Sequence, residues 1–160
     1  MEEVKYIPGD LVMTNGAPIG TAKDVVYRVT SSDPSKTLEL DCGTVLKGVV
    51  CLENIEGTEF GDKGYLLGDS CAWVKDIVPI PLTSKILEKN RWKTFIELHD
   101  FRYAFKIDDL CYLVVMTGFL DGIRIFIRKG AIYRKLRTLK YVSDLQHLLY
   151  GLGINHEMEV

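Results

Sequence analysis

Two prolines near the middle of the chain, in Val78-Pro79-Ile80-Pro81-Leu82-Thr83, constrain the fold more than any other feature. Each lacks a backbone N–H and steers the residue before it away from helix, so neither a helix nor a central strand can run through this point. The pattern also differs on the two sides. Residues 1–82 carry short apolar runs separated by glycine and proline, whereas residues 83–160 carry a helix start, alternating runs and a terminal amphipathic segment. The chain therefore reads as two small modules, 1–82 and 83–160.

In the first module, runs at 11–14, 25–30, 37–41, 44–52 and 71–80 are rich in β-branched and apolar residues. Turn formers stand between them: Pro8-Gly9-Asp10, Asn15-Gly16-Ala17-Pro18, Ser31-Ser32-Asp33-Pro34 and Gly61-Asp62-Lys63-Gly64. Five short strands punctuated in this way predict a small β-barrel. Tyr6-Ile7-Pro8-Gly9-Asp10-Leu11-Val12, followed by Gly16, Gly20 and Asp24-Val25-Val26, resembles the opening of SH3-like barrels, including the KOW motif of ribosome- and RNA-polymerase-associated proteins. That resemblance implies nucleic-acid binding, but the charge of this half opposes it. Residues 1–83 hold seven Lys and Arg against thirteen Asp and Glu, a balance of -6, and phosphate contacts require cations.

In the second module, Thr83 is placed to cap a short helix over 84–89, with Asn90 to end it. Runs at 94–98, 101–107, 110–117 and 123–128, joined through His99-Asp100, Asp108-Asp109 and Asp121-Gly122, predict a four-stranded antiparallel meander. Phe101, Tyr103, Phe105 and Ile107 alternate with Arg102, Ala104 and Lys106, and Ile123, Ile125 and Ile127 with Arg124, Phe126 and Arg128. Each alternation gives a strand with one buried face. Leu139, Val142, Leu145, Leu149 and Leu152 predict a helix over 138–150 that packs across the sheet and ends at Gly151 or Gly153. The expected fold class is α+β: an SH3-like barrel followed by a meander backed by the C-terminal helix.

Charge supplies the functional signal. Residues 84–160 hold thirteen Lys and Arg against nine Asp and Glu, or +4, and no acidic residue occurs from Gly122 through Ser143. The candidate ligand-binding residues are Arg124, Phe126, Arg128, Lys129, Tyr133, Arg134, Lys135 and Arg137. Guanidinium forks match phosphate oxygens and aromatic rings offer stacking platforms, so the combination suits a nucleic acid or a nucleotide. The competing reading pairs this charge with the acidic first half.

Catalytic and metal signals are weak. Cys42, Cys51, Cys71 and Cys111 show no Cys-x-x-Cys spacing and read as buried thiols. His99, His147 and His156 have no Gly-x-Ser-x-Gly nucleophile near them, and Gly57, Gly61, Gly64 and Gly68 lack the Lys-Ser or Lys-Thr of a phosphate loop. No catalytic residue, cofactor or metal is expected, and a non-enzymatic binding protein is. The longest apolar run, 110–116, falls short of the roughly 20 residues of a membrane span, and Met1-Glu2-Glu3 does not open like a signal peptide; a cytoplasmic protein is expected.

The stretches from Ile80 to Asn90 (IPLTSKILEKN) and from Lys140 to Leu149 (KYVSDLQHLL) resemble a family of short, uncharacterised proteins encoded by gut Bacteroidetes and their phages. In that family a Pro-Leu-Thr helix start and a Lys-Tyr-Val-x-x-Leu-Gln helix bracket a strand-rich core. This chain departs at Ser143, where the family usually carries His. The resemblance implies a phage or mobile-element origin, and hence a host or phage protein as the alternative partner.

Overall fold

The computed structural model describes residues 6–55, 70–94 and 102–160. It divides into two compact units, Met1–Ile80 and Pro81–Val160. The division falls inside the proline seam, two residues ahead of the expected boundary. Both units are built on antiparallel sheet, with two short α-helices among the described residues of the second. The expected glycine-rich segment from Gly57 to Gly68 and the His99-Asp100 turn lie outside the described residues.

The first unit contains β1 (Leu11–Thr14), β2 (Tyr27–Glu39), β3 (Val45–Asn54), β4 (Ser70–Trp73) and β5 (Ile77–Pro79), hydrogen-bonded in the order β4-β3-β2-β1-β5. The expected strands at 25–30 and 37–41 are one strand of 13 residues. What reads locally as a Ser31-to-Pro34 turn is taken up by breaks in the β2–β3 register, between Val29 and Ser31 and between Asp33 and Thr37. There Asp33 Oδ1 accepts the Ser35 backbone N–H at 3.1 Å and its hydroxyl at 2.6 Å. Pro34, with no N–H to give, thus sits where the ladder is interrupted.

The expected strand at 71–80 is also interrupted, by a single 3-10 turn at Val74–Asp76 between β4 and β5. That turn controls the shape of the sheet. β4 and β5 form its two edges, which in a flat five-stranded sheet lie about 19 Å apart. Four Cα steps from Trp73 to Ile77 reach at most about 14 Å. The sheet therefore coils, although no ladder joins β4 to β5 among the described residues and the barrel stays open. Coiling encloses Tyr6, Val12, Val25, Tyr27, Val29, Val50, Leu52, Ala72 and Ile77 as one core. Asp76, 8% exposed, secures the turn: Asn15 donates its backbone N–H to the Asp76 carbonyl at 3.0 Å and its amide to Asp76 Oδ1 at 2.9 Å.

The second unit begins with α1 (Ser84–Lys89), as expected from its caps. Thr83 Oγ1 accepts the Ile86 N–H at 3.3 Å, and Asn90 ends the helix. Arg91 then takes φ +67°, a left-handed conformation that costs a non-glycine residue about 1 kcal/mol. This turn sends Trp92 inward, where it is 4% exposed and its ring lies 5.4 Å from that of Phe105.

The sheet of this unit contains β6 (Lys93–Thr94), β7 (Tyr103–Lys106), β8 (Cys111–Phe119), β9 (Gly122–Lys129) and β10 (Ile132–Leu139), paired in chain order. Among the described residues it has five strands; the expected strand at 94–98 lies, apart from Thr94, outside them, and β10 is a strand that was not expected. β10 occupies most of the segment between the last expected strand, 123–128, and the terminal helix, and a two-residue connection, Gly130-Ala131, joins it to β9. Gly130 at φ +63° enters the left-handed region such a tight hairpin demands. The β8–β9 connection is Leu120-Asp121, one residue earlier than Asp121-Gly122. Gly122 already belongs to β9, at φ +125°, where an added Cβ would fall on the Leu139 carbonyl oxygen.

α2 (Val142–Gly151) starts four residues later than expected, because Thr138 and Leu139 belong to β10. Asp144 Oδ2 fixes the start by accepting the backbone N–H groups of Lys140 and Tyr141, each at 2.9 Å. Gly153, at φ +72°, fixes the end. Its N–H donates to Tyr150 O at 3.0 Å while that of Ile154 donates to Leu149 O at 2.9 Å, the paired bonds of a Schellman motif. Val142, Leu145 and Leu149 of α2 are buried, as are Leu113, Val115, Ile125 and Leu139 of the sheet. Each such side chain contributes about 2 kcal/mol through burial.

Candidate anion-binding face

Directly opposed residues in antiparallel strands share a face, so the register of β6 to β10 assigns each cation paired in the ladder to one side or the other. Lys106, Tyr112, Arg128 and Tyr133 stand in one cross-strand row. Lys93, Ala104, Val114, Phe126 and Lys135 form the next. Met116, Arg124 and Thr138 form the third. The first row thus alternates cations with aromatic rings across neighbouring strands, and the second places Lys93, Phe126 and Lys135 on the same face.

This register separates the eight candidate residues. Arg124, Phe126, Arg128, Tyr133 and Lys135 gather on the cationic and aromatic face. Arg134 stands opposite Ile127, Arg137 opposite Ile125, and Lys129 opposite Cys111, all on the other side. A bulge between Lys135 and Arg137 is the physical reason that two residues two positions apart point to opposite faces. Arg134, Lys135, Arg137 and Lys129 are all exposed.

The two arginines of β9 are held differently. Arg124 lies with its guanidinium carbon 3.8 Å from the centroid of the Phe119 ring, and one of its nitrogens is 3.9 Å from Asp121 Oδ2. Its charge is therefore largely committed within the hairpin. Arg128 lies between two tyrosines, its guanidinium carbon 6.0 Å from the Tyr112 ring centroid and 5.7 Å from that of Tyr133. Its Nε donates to the Gly130 carbonyl at 3.0 Å, which fixes the plane of the fork. A guanidinium flanked by rings is a fixed cation with stacking surfaces beside it.

At one end of the face lies a cleft of about 560 Å³ lined by Arg91, Lys93, Thr94, Ala104, Phe105, Lys106, Tyr112 and Arg128. Its size is within the range of small-molecule sites. Ala104 leaves room between Lys93 and Val114 in its row, and among the described residues no carboxylate lines the walls. Lys106 is bound to Asp109 at 2.8 Å, and that contact raises the Lys106 pKa and lowers that of Asp109. Arg91, Lys93, Lys106 and Tyr112 were not among the expected site residues. The alternation of Arg102, Ala104 and Lys106 is a local signal for Lys106 alone.

Of the histidine and cysteine candidates, all but His99 lie among the described residues. His147 lies on α2, and His156 packs edge-on to Tyr150 at 5.3 Å. Among the described residues, no three His, Cys, Asp or Glu gather to hold a metal ion. The cysteines are not buried as expected: Cys42 and Cys71 are exposed and Cys51 and Cys111 half-buried, because Cys42 occupies the β2–β3 hairpin tip and Cys71 an edge strand. Among the described residues, no helix is long and apolar enough to cross a membrane. No family model, curated protein or solved structure matches the chain.

Proposed function

We propose that this chain is a non-enzymatic binding protein of phage or mobile-element type that holds single-stranded nucleic acid, or another phosphate-bearing ligand, on the cationic and aromatic face of its second unit. The row of Lys106, Tyr112, Arg128 and Tyr133, with Lys93, Phe126 and Lys135 beside it, carries the reading. Rings on a sheet surface accept unstacked bases, and cations between them meet the backbone charge. The first unit is read as an SH3-like barrel. The strand order β4-β3-β2-β1-β5, with a 3-10 turn leading from β4 into β5, supports that reading.

Fluorescence anisotropy with single-stranded and duplex oligonucleotides at two salt concentrations tests the proposal. Four or five contacts from Arg91, Lys93, Lys106, Arg128 and Lys135 give a slope of log affinity on log salt of about -3 for a single strand. The single strand should bind more tightly than the duplex, and absence of binding at low salt rejects the reading.

A protein-binding role has one observation in its favour. Leu38, Leu40 and Val45, 48%, 38% and 57% exposed, gather at the β2–β3 hairpin tip. Such a tip suits a host or phage protein as partner, or a second copy of the chain. Light scattering after size exclusion, with and without Leu38→Ser, distinguishes self-association from the monomeric binder.

A further inference from the structure

The cleft beside β6 is built differently from the rest of the face. In the row of Lys106, Tyr112, Arg128 and Tyr133, cations alternate with rings, an arrangement that suits an extended strand with one charge per phosphodiester. At the cleft, Arg91, Lys93, Lys106 and Arg128 line one cavity together with Tyr112, with no acidic lining residue among the described residues. That is more positive charge than a single internal phosphate presents. A terminal phosphomonoester carries about -1.5 to -2 at pH 7 and offers three oxygens, which matches such a cluster.

The backbone at Arg91 is the second, independent observation. Arg91 follows the α1 cap in a left-handed conformation, with its N–H donating to Glu88 O at 3.3 Å and that of Trp92 to Leu87 O at 3.1 Å. This is the position after a helix that glycine most often fills, and glycine enters it without steric cost. The chain keeps an arginine there, exposed and lining the cleft, while the next residue turns into the core. Strain retained beside a cluster of cations points to a ligand.

Building on the reading of this face as a phosphate-ligand surface, we propose that the cleft takes a phosphomonoester joined to an aromatic base: the 5′ end of a nucleic-acid strand, or a free nucleotide. Arg91, Lys93 and Arg128 meet the phosphate, Thr94 adds a hydroxyl, and the Tyr112 ring receives the base. Lys106 reaches the same anion by exchanging its contact with Asp109.

The test uses the full chain and one single-stranded oligonucleotide, labelled at its 3′ end, in 5′-phosphate and 5′-hydroxyl forms. The phosphorylated form should bind at least tenfold more tightly. Arg91→Gly should collapse that preference toward unity while leaving the thermal midpoint unchanged or raised, since glycine suits the backbone. A merely structural arginine would give neither result. Adenosine 5′-monophosphate in competition identifies the source: displacement of the strand assigns a free nucleotide, and preference without displacement assigns a strand end. Equal binding of the two oligonucleotides, with no response to the nucleotide, overturns the cleft proposal and leaves the face reading standing. Failure of every probe at low salt overturns both. Persistence of the preference in Arg91→Gly overturns the assignment of the cleft as its origin.

Discussion

The two units answer the same problem, a five-stranded antiparallel sheet with two faces to satisfy, in different ways. In the first unit the chain returns from β4 to β5 through a single turn, so the sheet coils and encloses a core by itself. In the second unit the strands pair in chain order, the sheet gains α1 and α2, and the register puts Ile123, Ile125 and Ile127 on one face and Lys93, Lys106, Arg128 and Lys135 with Tyr112, Phe126 and Tyr133 on the other. A sheet that coils to make its core commits its inner face to packing. A sheet that meanders leaves a second face whose register can be used for chemistry, and the charge balance follows suit at -6 for residues 1–83 and +4 for 84–160.

If the two shapes depend on different backbone devices, glycine substitutions should damage them unequally. Gly122→Ala puts a Cβ against the Leu139 carbonyl at a φ that L residues rarely adopt, and backbone cannot yield cheaply. A loss of about 3 kcal/mol is expected. Gly48, in the coiled sheet, has φ +83°, but its added Cβ would meet Val74 Cγ2 at 2.9 Å, a side-chain methyl that can shift. Gly48→Ala should cost about 1–2 kcal/mol. The protein contains two tryptophans, Trp73 and Trp92, one in each unit. Single Trp→Phe variants therefore report urea unfolding of each unit separately. Equal losses would break the distinction.

The 3-10 turn is the next point of attack. Asp76→Ala deletes the acceptor of the Asn15 amide and the partner of Lys75 Nζ, both at 2.9 Å from Oδ1. With a side chain 12% exposed, the loss should be about 2 kcal/mol. It should appear in the Trp73 transition while the Trp92 transition stays in place. On the second unit, Tyr133→Ala removes one of the rings flanking Arg128 and should weaken single-strand binding by about 1 kcal/mol, without moving either transition. A binding change of that size from Arg134→Ala, on the opposite side of the sheet, would show that the register does not decide which cations act.

Local chemistry made some of this readable from sequence and left the rest hidden. The Thr83 cap, the Asn90 end and the alternation in β9 act over a few residues, so α1 and the buried isoleucines follow from pattern alone. β10 was missed because Ile132-Tyr133-Arg134-Lys135-Leu136-Arg137 is polar on both sides and its bulge breaks the alternation; Gly130 was its only clear mark. The single length of β2 was hidden because Ser31-Ser32-Asp33-Pro34 has turn composition, and only pairing with β3 turns it into a bulged strand. The site was half legible for the same reason. The basic cluster is contiguous in sequence, whereas its division between two faces, and the arrival of Arg91, Lys93, Lys106 and Tyr112, depend on pairing partners far along the chain.

The smallest expected effect is on pH, and it separates the two units by burial. For Asp76, burial pushes the carboxyl up, but the hydrogen bonds from Lys75 and Asn15 and the Lys75 charge outweigh it, so its pKa lies below the ordinary 3.8. A lowered folded value means that Asp76 contributes its full stabilisation above the unfolded pKa and loses it as pH falls through the folded one. The Trp73 transition should therefore weaken below about pH 4 by more than that of Asp76→Asn, in which nothing titrates at this position. Asp109 in the second unit is also lowered, by its hydrogen bond and attraction to Lys106, and the same sign applies. Its side chain is 94% exposed, so 1 M salt should remove its contribution while leaving that of Asp76 largely intact. Acid titrations of the two single-tryptophan forms at low and high salt decide the matter, because parallel shifts in both units would mean that the enclosed turn of the coiled sheet is no better shielded than the surface pair of the meander.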